Sequence, residues 1–126
     1  MSLKVDIYDA LENILSTGVS VYQITRPTTS YNLPCIVFNQ ISTGPNNTKS
    51  GASITDETRF QFDIYDRSST GVESVAETLR NGFDYYEGVN IQKVFFQDQQ
   101  DADFDMNAGT LGEFRIIQDY IIRYNR

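Results

Sequence analysis

The chain reads as an α+β protein, an antiparallel-rich β-sheet with two main α-helices packed on it and a long β-hairpin loop. Three observations carry that reading. Phe60, Phe62 and Ile64 alternate with Arg59, Gln61 and Asp63, the period of two of a strand with one buried face. Within a few residues the pattern changes, and Val72, Val75, Ala76, Leu79, Phe83 and Tyr86 recur at helical spacing as one apolar stripe. Near the C-terminus Phe114, Ile116, Tyr120 and Ile122 alternate with Arg115, Asp119 and Arg123, a second long strand. At 126 residues, 40% hydrophobic and 21% charged, the chain suits one domain spanning 1–126. That length buries a core without help from metal or disulfide.

Taken in order, Val5–Leu15 is predicted helical: Ile7, Leu11, Ile14 and Leu15 form a stripe with Tyr8 beside it, and Gly18 is a stop signal. Val19–Ile24 is a short strand. Pro27 and Pro34 push the residues before them towards extended geometry, so Arg26–Pro34 is a connector. Cys35–Ile41 is a strand of nearly continuous apolar character. Ser42–Thr55 holds Gly44, Pro45, Asn46, Asn47, Lys49 and Gly51 and reads as a hairpin tip too long for a tight turn. The second helix is predicted over Gly71–Glu87, with Thr70 as its cap and Glu73 completing a capping box. Val89–Gln97 is a strand, Asp98–Gly109 is acidic and turn-like, and Gly112–Tyr124 is the closing strand.

Two irregularities point to a second apolar surface. Phe95 and Phe96 are adjacent in a strand, so one must face away from the main core. Ile117 and Ile121 break the alternation of the last strand on that same other side. A second apolar surface is a candidate subunit contact.

The composition excludes several function classes. A formal net charge of −7, with ten scattered basic residues, disfavours tight binding to phosphate backbones. It also leaves no patch for an anionic membrane. There is no histidine, which removes the commonest general base and the triads built on it. With Cys35 as the only thiol, no zinc ligand set remains. Neither a P-loop nor a GxGxxG motif is present. No catalytic residue, metal ligand or cofactor is therefore assigned. Cys35 reads as a small buried hydrophobe. The N-terminus lacks the charged and apolar regions of a signal peptide, and no apolar run reaches membrane-spanning length, so a reducing interior is expected.

The sharpest local signal is the aspartate series Asp98, Asp101, Asp103 and Asp105. Asp101, Asp103 and Asp105 match the first three ligand positions of a calcium loop, and alternate aspartates lie on one face of an extended segment. The match then fails, with Met106 where the loop needs glycine and Gly112 where it needs glutamate. A solvated acidic loop is the expectation.

Several segments, in order, resemble the tail terminator (tail-completion) proteins of long-tailed double-stranded DNA phages. They are the early helix ALENIL, RP followed by LPCIVFNQIS, the polar loop, RFQFDIYDRSSTGVESVAETLRNGF, and the final strand GEFRIIQDYIIRYN. The similarity covers nearly the whole chain and lies in order and spacing. It implies a structural, non-enzymatic protein that forms a ring, usually of six subunits, at the head-proximal end of the tail. The ring stops tube polymerisation and offers the docking surface for the head. Its implied partners are other copies of itself, the tail tube protein, a head-completion or connector protein, and DNA that passes through the lumen without specific binding. No membrane is involved, and assembly takes place in the bacterial host cytoplasm. Ring closure needs head-to-tail contacts, for which Asn46, Asn47, Lys49, Phe95, Phe96, Ile117 and Ile121 are candidates. Asp98, Asp101, Asp103 and Asp105 are candidates for the lumen or its rim, where carboxylates repel phosphates. Rival readings are a head–tail connector of the same neck region, a monomeric ligand-binding or regulatory domain, and a small carboxylate enzyme.

Overall fold

A computed structural model describes residues 3–15, 18–23, 33–45, 55–88, 90–105 and 113–125. The elements run α1 (Leu3–Ile14), β1 (Ser20–Gln23), β2 (Cys35–Pro45), β3 (Thr55–Asp66), α2 (Ser69–Phe83), β4 (Ile91–Asp105) and β5 (Glu113–Asn125). The five strands form one sheet in the order β1-β2-β3-β5-β4. All pairings are antiparallel except β1 with β2, which is parallel. This is the α+β class predicted, with a mixed sheet. Helix α2 carries the chain over the position of β5, which then inserts between β3 and β4, a split βαβ arrangement.

Both helices lie on one side of the sheet, because their stripes enter one core. Ile7, Ala10 and Leu11 of α1 and Val72, Ala76, Leu79 and Phe83 of α2 join Ile36, Phe38, Phe60, Phe62, Ile64, Ile116, Tyr120 and Ile122. Aromatic rings fill its centre. Phe62 stands edge-on to Phe83 at 5.4 Å and to Tyr120 at 5.3 Å, and Phe83 meets Tyr120 at 5.2 Å. Such edge contacts add to the area that each ring buries.

One polar network crosses this core. Gln118 is fully buried; its amide nitrogen donates to the Ala76 carbonyl of α2 at 3.0 Å and to Gln99 Oε1 at 2.7 Å. Its oxygen accepts from the Tyr120 hydroxyl at 2.8 Å. The network ties β4 and β5 to α2 and leaves no member without a partner, as a buried amide requires.

Several boundaries differ from the sequence reading. The cap of α2 is Ser68, not Thr70: Ser68 is extended and its Oγ accepts from the Gly71 N–H at 2.9 Å. Thr70 is already helical, so the Thr70–Glu73 capping box does not form. The helix ends at Phe83 because Asp84 leaves helical geometry at ψ 129°, and its carboxylate accepts the Phe96 N–H at 2.9 Å. Tyr86 therefore packs on the core from outside the helix. Strand β2 runs on to Pro45 through an irregularity between Gln40 and Ser42, so the hairpin is paired for longer than its turn-rich composition suggests. Most plainly, Asp98–Asp105 is strand and not turn, because β5 continues beside it to Glu113. Pairing overrode low strand propensity here.

Gly82 marks where the helices touch. A Cβ there would run into Ile14 Cγ2 and come within 3.2 Å of Cγ1 and 3.3 Å of Cβ. In an open helix, Gly→Ala stabilises by about 1 kcal/mol. Here the β-branched neighbour is stiff at χ1 and cannot turn aside cheaply. We expect Gly82→Ala to destabilise by about 1–2 kcal/mol through overpacking, and Ile14→Ala to rescue it in the double variant. An increase in the denaturant midpoint for the single variant would refute this packing.

Candidate assembly surfaces

The helices cover one side of the sheet, and the register decides which residues occupy the other. Directly paired residues point the same way, so the outer side can be read row by row. Glu57, Arg123 and Lys93 share a row; Arg59, Ile121 and Phe95 make the next. Gln61, Asp119 and Asp98 follow, then Asp63, Ile117 and Gln100, then Tyr65, Arg115 and Ala102. On the β2 side, Cys35 and Val37 point outward yet are buried. The open part is thus β3, β5 and β4.

This open face carries half-buried Ile117, Ile121 and Phe95 among charges of both signs. Arg123 pairs with Glu57 at 3.0 Å, and its guanidinium lies 5.5 Å from the Phe95 ring. Arg115 pairs with the nearly buried Asp63 at 2.9 Å and lies 5.7 Å from the Tyr65 ring. Lys93 reaches Glu87 at 3.2 Å. Three charged residues have no ion-pair or hydrogen-bond partner among the described residues: Arg59, Asp98 and Asp119. Asp98 and Asp119 stand directly opposite each other across β4 and β5. Like charges in that relation are destabilising. Over these five rows the charges balance, with Glu57, Asp63, Asp98 and Asp119 against Arg59, Lys93, Arg115 and Arg123; the next row adds the buried Glu113.

At one corner the backbone is strained. Tyr85 has φ 63°, in the left-handed region that a residue with a side chain rarely adopts. Its N–H donates to Val94 O at 2.7 Å, and Val94 N–H donates to Tyr86 O at 3.2 Å. The 84–88 segment therefore caps the first half of the β4 edge. Tyr85 itself is exposed and meets Phe95 edge-on at 6.1 Å. No sequence signal marked Tyr85, since left-handed geometry is expected of Gly, Asn or Asp.

The sequence-derived candidates divide as follows. Phe95 faces outward with Ile117 and Ile121, as expected of one member of the pair. Phe96 turns inward, with the Arg80 guanidinium 4.0 Å from its ring and Tyr120 at 5.5 Å. Asn46, Asn47 and Lys49 lie outside the described residues. Asp98 pairs with Asp119 on the open side and Asp101 with Ile116 on the helix side, as their odd spacing along a strand requires. For Asp103 and Asp105 only the strand backbone is described. A register shift between Ala102 and Asp105 also breaks the alternation on which a common face depends. The strand ends carrying the two hairpins are at opposite ends of the sheet. Pro45 pairs with Asp56, which pairs with Tyr124, whereas Asp105 pairs with Glu113 beyond Phe114 and Asp66.

The helix layer is acidic. Helix α1 carries Asp6, Asp9 and Glu12 against Lys4; α2 and the turn after it carry Glu73, Glu77, Asp84 and Glu87 against Arg80. The clefts show no convergent chemistry. One, of about 330 Å³, is lined by Lys4, Gln40, Thr43, Asp56, Thr58 and Tyr124 near the start of α1. Another, of about 270 Å³, lies between Glu73 of α2 and Asp101, Phe114 and Ile116. Neither brings a nucleophile to a base. Among the described residues no three His, Cys, Asp or Glu side chains gather as metal ligands.

By architecture, then, this is an α+β protein with one helix-covered and one open sheet face. It is similar in fold to a chain of the native gene transfer agent virion particle, with a TM-score of 0.69 and 11% identity over 99% of this chain and 96% of that one. No family model and no curated protein sequence matches it.

Proposed function

We propose that this protein is a structural, non-enzymatic component of a phage-like particle, and within it the tail terminator. The observation that carries the reading is the end-to-end likeness to a virion chain, at a TM-score of 0.69. The order of segments that resembles tail terminators supports the finer role. In this reading six copies close head-to-tail on the tail tube, stop its growth and receive the head. The strip of Phe95, Ile117 and Ile121 and the hairpin with Asn46, Asn47 and Lys49 supply subunit contacts. Heterologous closure suits a subunit whose two hairpins leave from opposite ends of the sheet.

The lumen is carboxylate-lined in this reading, with Asp101, Asp103 and Asp105 at its rim and the acidic helix layer as further wall. A wall of that sign lets DNA slide, because it neither binds phosphates nor releases counterions. Asp98 belongs with the contact strip, whose side of the sheet it shares.

Deleting the gene in a producing strain and imaging the products tests the role. We expect filled heads without tails, together with tails of uncontrolled length. Tails of normal length beside unjoined heads would assign a connector role in the neck instead. Intact particles in normal number would overturn the reading.

A further inference from the structure

We propose that two copies of this chain pair through their open sheet faces, related by a two-fold axis, when they are off the particle. This goes beyond the ring and does not rest on it. The evidence is the arrangement of unsatisfied charge. Arg59 pairs across the sheet with Ile121, and Asp119 lies two residues along β5 with Asp98 directly opposite. A cation and two carboxylates without partners among the described residues thus occupy neighbouring rows, Asp119 about 7–8 Å from Arg59 on the diagonal and Asp98 one strand farther away. A two-fold axis in the contact plane, passing midway between Arg59 and Asp119 and perpendicular to the diagonal that joins them, brings each Arg59 over the other copy's Asp119. The same contact covers the half-buried Phe95 and Ile121.

The face fits itself better than other occupants. Its five rows balance in charge and the row beyond them adds only Glu113, so it gains nothing from polyanionic DNA or from the acidic helix layer of another copy. A two-fold contact, by contrast, satisfies both signs twice. The like-charged pair of Asp98 and Asp119, unfavourable in the single subunit, gains a cation from outside. The contact is small. Three strands about 4.8 Å apart over five rows present roughly 450 Å² per copy, or roughly 900 Å² in total. Stable interfaces begin near roughly 1,200 Å², so the pair is weak and depends on concentration. It closes on itself and cannot extend into a ring. In the ring reading above, the pair parts before Phe95 and Ile121 are used in assembly.

Sedimentation velocity of the purified full chain over micromolar to millimolar concentration reads the equilibrium. We expect a monomer–dimer equilibrium that weakens in high salt. Arg59→Glu alone should weaken it at least tenfold, and so should Asp98→Lys with Asp119→Lys. Mixing the two variants should restore pairing to within about twofold of the parent, since both contacts are then complementary. A thermal melt of each variant checks that it is folded. A parent monomeric at millimolar concentration, folded variants that still pair at parental strength, or variants that fail to rescue on mixing would each overturn the proposal. None of these outcomes bears on tail length, which tests the ring separately.

Discussion

Replacing Phe62 with alanine is expected to cost about 3–5 kcal/mol, a large share of the 5–15 kcal/mol by which a domain is ordinarily stable, give or take roughly a factor of two. Phe62 sits at the centre of β3, fully buried, with ring contacts to Phe38, Phe60, Phe83 and Tyr120. Truncation loses the transfer of a whole ring and leaves a void that Phe83 and Tyr120 cannot close without leaving their edge-on geometry. Phe95→Ala is the matched control. It removes the same ring from the half-buried open face, where no described residue forms a second layer above it, and should cost about 1 kcal/mol or less. Urea melts of both variants decide the matter. A Phe62→Ala midpoint close to that of Phe95→Ala would mean that the core has been assigned to the wrong side of the sheet.

The second large effect is alkaline. Burial raises the pKa of the Tyr120 hydroxyl well above 10; the nearby Asp84 carboxylate raises it further, and Arg80 opposes the shift. The folded state thus prefers the neutral phenol. Unfolded, the group ionises near pH 10 or so. Its contribution is complete below that pH and is lost as pH rises through the interval up to the folded pKa, at up to about 1.4 kcal/mol per pH unit. Stability measured from pH 8 to pH 11 should fall steeply in the upper part of the range. Tyr120→Phe should flatten that fall and cost about 1 kcal/mol at neutral pH, because Gln118 Oε1 loses its donor. An unchanged alkaline slope in the variant would show that other groups drive the loss.

The two long strands and both helices were legible because their apolar residues repeat at one period over many residues, as in Phe60–Ile64 and Val72–Phe83. Their ends were less so. Ser68 and Thr70 are equally good capping residues by composition, and only the backbone geometry distinguishes them. Asp98–Asp105 has the composition of a turn, and it is a strand because β5 offers partners along its length. The candidate contact strip was half legible: the doublet Phe95-Phe96 required one ring to face outward, but not which. Tyr85 carried no signal at all.

What the sequence determined by itself was the class of fold, the buried side of the strands carrying Phe60–Ile64 and Phe114–Ile122, and the lack of any histidine. Each of these depends on residue type or on short-range periodicity, which are properties of the chain alone. What only the tertiary structure decided was which residues from distant segments meet. The register of β4 on β5 shifts between Phe96 and Asp98, so Phe96 pairs with Tyr120 on the helix side and Asp98 with Asp119 on the open side, although two residues apart they would share a face in a regular strand. A one-residue irregularity in pairing turns a side chain to the opposite face, and such irregularities arise between strands, where no local pattern records them.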